Sequence, residues 1–257
     1  MTKIEKINRE SKVREKPVGL TRNDRTAEKV VACQNSGDGF ARRKDLELSK
    51  IKELLKKESG VVYSYVATTA KFKEGDLIQT GCGLNFEGGL LTLCTCKRRM
   101  RTYPDVKAGT WIAVFASGAG TQEHCLFALM RIGTTFDSHA QLWKELKVKE
   151  RKAKSAHANQ FGDVYEPKHG AIRNEFVRES YLPLHHDHPH KDKERSVAKD
   201  VGYQNRQTGE HSKLLLGHAN HSYLWMKTSI AYKSQHPRTK KWSSLNEFLK
   251  ELKESEK

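Results

Sequence analysis

The chain has 257 residues, 36% hydrophobic and 30% charged, which is long enough to bury one sizeable core and polar enough to carry segments outside it. Lys and Arg number 47 against 31 Asp and Glu, a formal charge of +16, the electrostatic footprint of a partner to phosphates such as DNA or a nucleotide. No run approaches the roughly 18 apolar residues of a membrane span, and MTKIEKINRESKVREK lacks the apolar segment of a signal peptide, so a cytoplasmic protein without membrane contact is expected.

Residues 1–45 alternate charges with Gly, Asn and Ser and show no lasting period, which predicts a charged, partly disordered N-terminal extension. From Asp45 the pattern changes. LELSKIKELLKK sets Leu46, Ile51, Leu54 and Leu55 near one face with lysines opposite, an amphipathic helix that Gly60 can end. VVYSYVATTA reads as a strand, and KEGDLIQTGCGLNFEGG as a loop whose glycines match neither a P-loop nor a dinucleotide fingerprint.

Strands are predicted around 90–96, 110–116 and 125–132, followed by a helix over FDSHAQLWKELKVKERKAK with Asp137 or Ser138 as N-cap. Residues 155–210 are poor in aliphatic side chains and rich in His, Asp, Asn and Gly, a length that in a compact domain signals function or disorder. KLLLG and SYLWMKTSIAYK form a last strand pair before a C-terminal amphipathic helix, within 235–257, capped by Ser243 or Ser244. With no repeat and no helix alternating between strands, residues 46–234 are expected to form an α+β core around a small, mostly antiparallel sheet or barrel with flanking helices.

The stretch LLTLCTCKRRMR carries the chemistry. An apolar strand pattern stops at Lys97, and Lys97, Arg98, Arg99 and Arg101 follow within five positions. Cations at a strand end can converge on an anion, and the Arg fork matches phosphate bidentately, so Lys97, Arg99 and Arg101 are candidate nucleotide ligands, with a solvated charged turn as the plainer alternative. Trp111 is a candidate pocket wall or a core residue, and Ser117 joins the same candidate set. The five cysteines, Cys33, Cys82, Cys94, Cys96 and Cys125, are odd in number and mostly embedded in apolar stretches, so reduced thiols are expected. Cys96 is kept as a candidate nucleophile because adjacent cations can depress a thiol pKa.

HHDHPH places His185, His186, Asp187, His188 and His190 within six residues. His185, His188 and His190 are candidate ligands for a divalent metal, and His188 also a candidate acid or base, against a plain reading as a polar loop. The spacing matches no HExxH-type motif.

TLCTCKRRMR, VKAGTWIAVFASG and CLFALMRIGTTFDSHAQLW together resemble the nucleotide modification associated domain 2 family, and the likeness runs on through FGDVYEP, HHDHPH and LLLG to YLW, roughly residues 60–232. The resemblance carries over onto Cys96, Lys97, Arg101, Gly109, Trp111, Trp143, Gly162 and Asp163. Arg98 stands where the family has proline, Thr110 where it has aspartate, and Val114 and Ala116 where it has glycines. The resemblance implies association with systems that modify, or handle modified, bases in DNA. The glycine-led strand, turn, strand and helix also look like the small barrel of the PUA, ASCH and EVE group, so a PUA-like β-barrel is one form the core can take.

Two readings follow. In one, a bacterial or phage protein of a base-modification system binds a base or nucleotide beside the cationic turn. In the other, an enzyme acts on a nucleotide in the same pocket through Asp163, His188 or Cys96, with a metal on the His-rich segment.

Overall fold

The computed structural model describes residues 29–30, 41–43, 47–73, 76–81, 83–118, 123–156, 159, 161–169, 174–184, 193–225, 228–233 and 239–254. Their centre is one curled sheet. Its long strands are β3 (Val62–Lys73), β6 (Trp111–Ser117), β7 (Glu123–Phe136) and β8 (Leu214–Trp225), which neighbour one another in that order. The shorter strands are β1 (Lys29–Val30), β2 (Ala41–Arg43), β4 (Asp76–Gln79), β5 (Thr92–Leu93), β9 (Ile230–Lys233), β10 (Lys240–Trp242) and β11 (Lys253–Glu254).

The class is α+β, but the sheet is mixed where a mostly antiparallel one was expected. β3 and β6 run parallel from Val62↔Trp111 to Ala67↔Ala116, and β2 runs parallel to β8, while the other pairings are antiparallel. The reason lies in the chain path. The strand at 90–96 shrinks to β5, which pairs with β8 rather than β6, so β3 and β6 meet across a long connection instead of a hairpin. The sheet curls into a half-barrel. The loop expected after Lys73 holds β4, antiparallel to β3 through Ala70↔Gln79 and Phe72↔Leu77.

Alternation along β6 explains why its sequence reads as one unbroken apolar run. Ile112, Val114 and Ala116 face a core with Tyr63, Tyr65, Met100 and Leu224, whereas Trp111, Ala113 and Phe115 face a second core with Trp225, Trp242 and Phe248. A strand buried on both faces has no polar side to show. The second core is closed by α1 (Leu48–Leu54), through Ile51 and Leu55, and by α5 (Leu245–Glu251), through Leu245, Phe248 and Leu249.

The cap positions follow the sequence. Ser138 accepts from the Gln141 amide at the start of α2 (His139–Glu145), and Ser244 accepts from Glu247 N while Glu247 accepts from Ser243 N. The single helix expected after Phe136 is two, because α2 ends at extended Leu146 and α3 (Val148–Lys154) restarts with Glu150 reaching back to Lys147 N. α4 (Lys193–Gly202) lies inside the segment expected to be irregular. Most of residues 1–45 fall outside the described residues; β1 pairs with β4 and β2 with β8. No helix among the described residues is long and apolar enough to cross a membrane.

Candidate functional site

The connection between β5 and β6 builds one wall of a cleft of about 700 Å³. Its turn starts at Lys97, whose φ of 54° makes it the one non-glycine in the left-handed region among the described residues. A side chain there crowds its own backbone, at a cost of roughly 1–2 kcal/mol. Bonds from Arg101 N to Lys97 O, Thr102 N to Arg99 O and Tyr103 N to Met100 O then wind the chain tightly, so the four cations leave in different directions.

Lys97 points its ammonium at the Tyr65 ring, 4.7 Å from the centroid, and burial lowers its pKa. Arg98 pairs with Asp200 at 2.7 Å and lies near the Tyr203 ring, which ties the turn to α4. Arg99 is exposed, and its side chain has no partner among the described residues. Arg101 goes the other way. It is 0% exposed, donates from Nε to Cys96 O at 2.9 Å and from Nη1 to Lys213 O, and accepts from Lys213 N at its own carbonyl. Expected at an anion, it instead stitches the turn to the approach of β8 through two backbone carbonyls.

The opposite wall is β3, which lends Tyr65, Ala67 and Thr69, and α4 closes the far side with Asp200 and Tyr203. Asp200 is 4% exposed. Desolvation pushes its carboxyl up to about 6 even though Arg98 and Arg101 pull the other way. The Cys96 thiol lines the same cleft, and burial, with Asp200 adding to it, pushes it up to about 11. The cations therefore do not activate it, and the reason for expecting a nucleophile is lost. The contribution of Arg101 is smaller than the desolvation it has to overcome.

The other candidate residues lie elsewhere. Trp111 is fully buried in the second core with its indole N–H on Ser59 O at 3.0 Å, so it forms no wall of the cleft. Ser117 sits at the end of β6 opposite Lys71. Asp163 is fully buried in a polar network. It accepts from Thr92 Oγ1 at 2.8 Å and Cys94 N at 3.0 Å, and Thr92 Oγ1 accepts in turn from Lys154 Nζ at 2.8 Å. Lys154 also donates to Asn85 Oδ1 and Leu90 O. Burial raises the Asp163 pKa and lowers that of Lys154. This network pins α3 and Asp163 to β5, and neither Asp163 nor Lys154 lines the cleft.

His185, His188 and His190 lie outside the described residues. Among the described residues no three His, Cys, Asp or Glu side chains converge to hold a metal, and His211 stacks on Phe176 while His218 meets His221. Cys94, Cys96 and Cys125 are free thiols.

Sequence reasoning missed Thr95, Tyr103 and Asp200, and it marks Tyr65 and Tyr203 only as two among nine aromatic residues, Tyr63, Tyr65, Trp111, Phe115, Trp143, Tyr165, Tyr203, Tyr223 and Trp225, that could stack on a base or fill the core. Asp200 and Tyr203 carry no local signal beyond lying in the polar segment, since only the docking of α4 brings them to the turn. Tyr65 has the period-2 spacing of a core-facing strand residue and is one. Compared with family models, curated proteins and solved structures, the chain matches none.

Proposed function

We propose that this chain binds a nucleotide, or a base presented by DNA, in the cleft between β3 and the cationic turn, as part of a system that modifies or handles modified bases. The observation that carries the reading is a cleft of about 700 Å³, lined by Tyr65, Tyr103 and Tyr203, with Lys97 and exposed Arg99 on its rim. Tyrosine rings offer faces to a base, and cations at the rim offer charge to its phosphate. A volume in this range is typical of small-ligand sites. The net charge of +16 adds attraction to a DNA backbone. The resemblance to the nucleotide modification associated domain 2 family supplies the biological setting, and the PUA-like form of the core belongs to the same proposal, supported by the curled sheet and by a cleft at a strand connection.

The test is a fluorescence-anisotropy titration against unmodified and base-modified DNA over a salt series, with mononucleotides as competitors and Lys97→Ala/Arg99→Ala as the control. Binding that mononucleotides displace and that the control weakens about tenfold supports the reading, a size set by two charge-assisted contacts. Binding indifferent to both the competitors and the control overturns it.

A second reading, an enzyme acting on the nucleotide in the same cleft, is favoured by one observation: a buried carboxyl, Asp200, held near 6 on the cleft wall. Turnover of a nucleotide that Asp200→Asn abolishes without loss of affinity would select it.

A further inference from the structure

The connection from β5 to β6 sets cations on both sides of an aromatic ring. Lys97 and exposed Arg99 line the cleft, half-buried Tyr103 follows in the same lining, and exposed Lys107 comes four residues later. Tyr103 rests against Tyr63 of β3, with ring centroids 5.9 Å apart, which carries the connection out of the cleft toward the start of that strand.

β10 arrives at the same place. Thr239 lines the cleft, and the next two residues pair with β3 as Lys240↔Ser64 and Lys241↔Tyr63. Successive side chains of a strand face opposite ways, and these two lysines do so. Lys240 lays its ammonium 3.6 Å from the centroid of the Trp242 ring, on the face of the second core. Lys241 turns to the face shared by Tyr63 and Tyr65, with its ammonium 6.0 Å from the Tyr63 ring and 2.5 Å from Asp105.

Two cationic positions therefore flank Tyr103. One is Lys97 with Arg99 at the turn, and the other is Lys241 with Lys107. Tyr63 and Tyr65, which lie under Lys241 and Lys97, are two residues apart on one face of β3, about 7 Å, so the two lysines attend neighbouring positions along the strand. Asp105 does not cancel the outer position. It is one carboxylate beside two lysines, and Lys241, with a side chain 54% exposed, is held by the kind of surface pair that contributes little and yields to a phosphate.

We infer that the cleft takes a base still joined to its strand, with the backbone running from Arg99 past Tyr103 to Lys241 and Lys107, so that the ligand is a polynucleotide rather than a free nucleotide. This deepens, and rests on, the proposed nucleotide-binding function. A mononucleotide brings its charge to one cationic position, whereas a strand brings phosphates to both and a neighbouring base to the Tyr103 ring. Lys240 supplies the contrast. It has the same charge on the same strand but the opposite face, so attraction to the overall charge of +16 treats Lys240 and Lys241 alike, and a strand path does not.

The experiment measures binding of a labelled single-stranded hexanucleotide across a salt series to the wild type, Lys241→Ala and Lys240→Ala. Unlabelled nucleoside 5′-monophosphate, single-stranded DNA and duplex DNA serve as competitors. Lys241→Ala is expected to flatten the dependence of log affinity on log salt by about 0.7, the contribution of one phosphate contact on a single strand, and Lys240→Ala by less than half as much. The affinity of the monophosphate itself should move by less than about twofold in either variant, because a strand position outside the cleft is screened from it. The two DNA competitors show whether the strand comes free or out of a helix, and displacement by either at lower concentration than the monophosphate supports the inference. Equal losses in Lys240→Ala and Lys241→Ala, or a monophosphate that competes as well as both DNAs, overturns it while leaving the nucleotide-binding function standing. If the monophosphate does not displace the hexanucleotide at all, that function fails first and takes the inference with it.

Discussion

Lys97 sits with its ammonium 4.7 Å from the centroid of the Tyr65 ring while its own backbone occupies the left-handed region at φ 54°. The side chain that strains the turn is also the one that crosses to β3. Glycine relieves the strain and alanine does not, yet both lose the contact with Tyr65. Lys97→Gly is thus expected to be more stable than Lys97→Ala by about 1 kcal/mol, read from urea unfolding. Equal stabilities would mean that the turn relaxes when Lys97 is shortened.

Arg99 and Arg101, two residues apart, are expected to behave oppositely. Arg101→Ala leaves Cys96 O and Lys213 O without their donor and opens a void, so a loss of about 3 kcal/mol or more is expected in chemical denaturation. Arg99→Ala, at an exposed position, should shift stability by no more than about 0.5 kcal/mol while lowering affinity for phosphate-bearing ligands. A stable Arg101→Ala protein would show that the buried guanidinium is dispensable to the fold.

Asp200 predicts a pH signature. Its carboxyl titrates near 6 in the native protein, above its ordinary value of 3.8, so between those limits the native state holds a proton that the unfolded chain has released. Stability contributed by this group rises as pH falls from about 6 to 4 and is lost as pH rises back through that window. The full difference is on the order of 3 kcal/mol. Asp200→Asn should remove the pH dependence, so the difference between wild-type and variant Tm values across pH 4–7 isolates it. A difference that stays flat would place Asp200 at an ordinary pKa.

Cys96 is expected to be sluggish. A thiol moved from 9.0 to about 11 carries about a hundredfold less thiolate at neutral pH. Iodoacetamide labelling at pH 7.5, read site by site by mass spectrometry, should mark Cys96 far more slowly than a free thiol. Rapid labelling would restore it as a nucleophile.

Lys154 and Asp163 act through Thr92 as one buried unit. Lys154→Met alone leaves a buried carboxylate without compensation, at about 3–5 kcal/mol. Adding Asp163→Asn, which keeps the shape and removes the charge, should recover at least about 1 kcal/mol of that loss in a double-mutant cycle. Additive losses would show that the two do not share a charge balance.

Local pattern by itself determined the elements whose signals lie within a few residues. The α+β class, the amphipathic α1 around Ile51 and Leu55, the Ser138 and Ser244 caps and the strand at Trp111 follow from spacing and capping chemistry, which depend on neighbours in the chain. The concentration of cations at 97–101 was equally legible, as was a turn at the end of a strand. Which of those cations face a ligand was not. Arg99 and Arg101 are indistinguishable in composition and hydropathy, and only the arrival of Lys213 and Cys96 carbonyls at one of them decides that it is buried. The parallel pairing of β3 with β6, the burial of Trp111 and Asp163, and the docking of Asp200 and Tyr203 against the turn are contacts between residues dozens of positions apart. Burial, and with it the pKa of Cys96 and Asp200, is a property of what packs around a group. No window of sequence contains that information, so the cleft exists only in the folded chain.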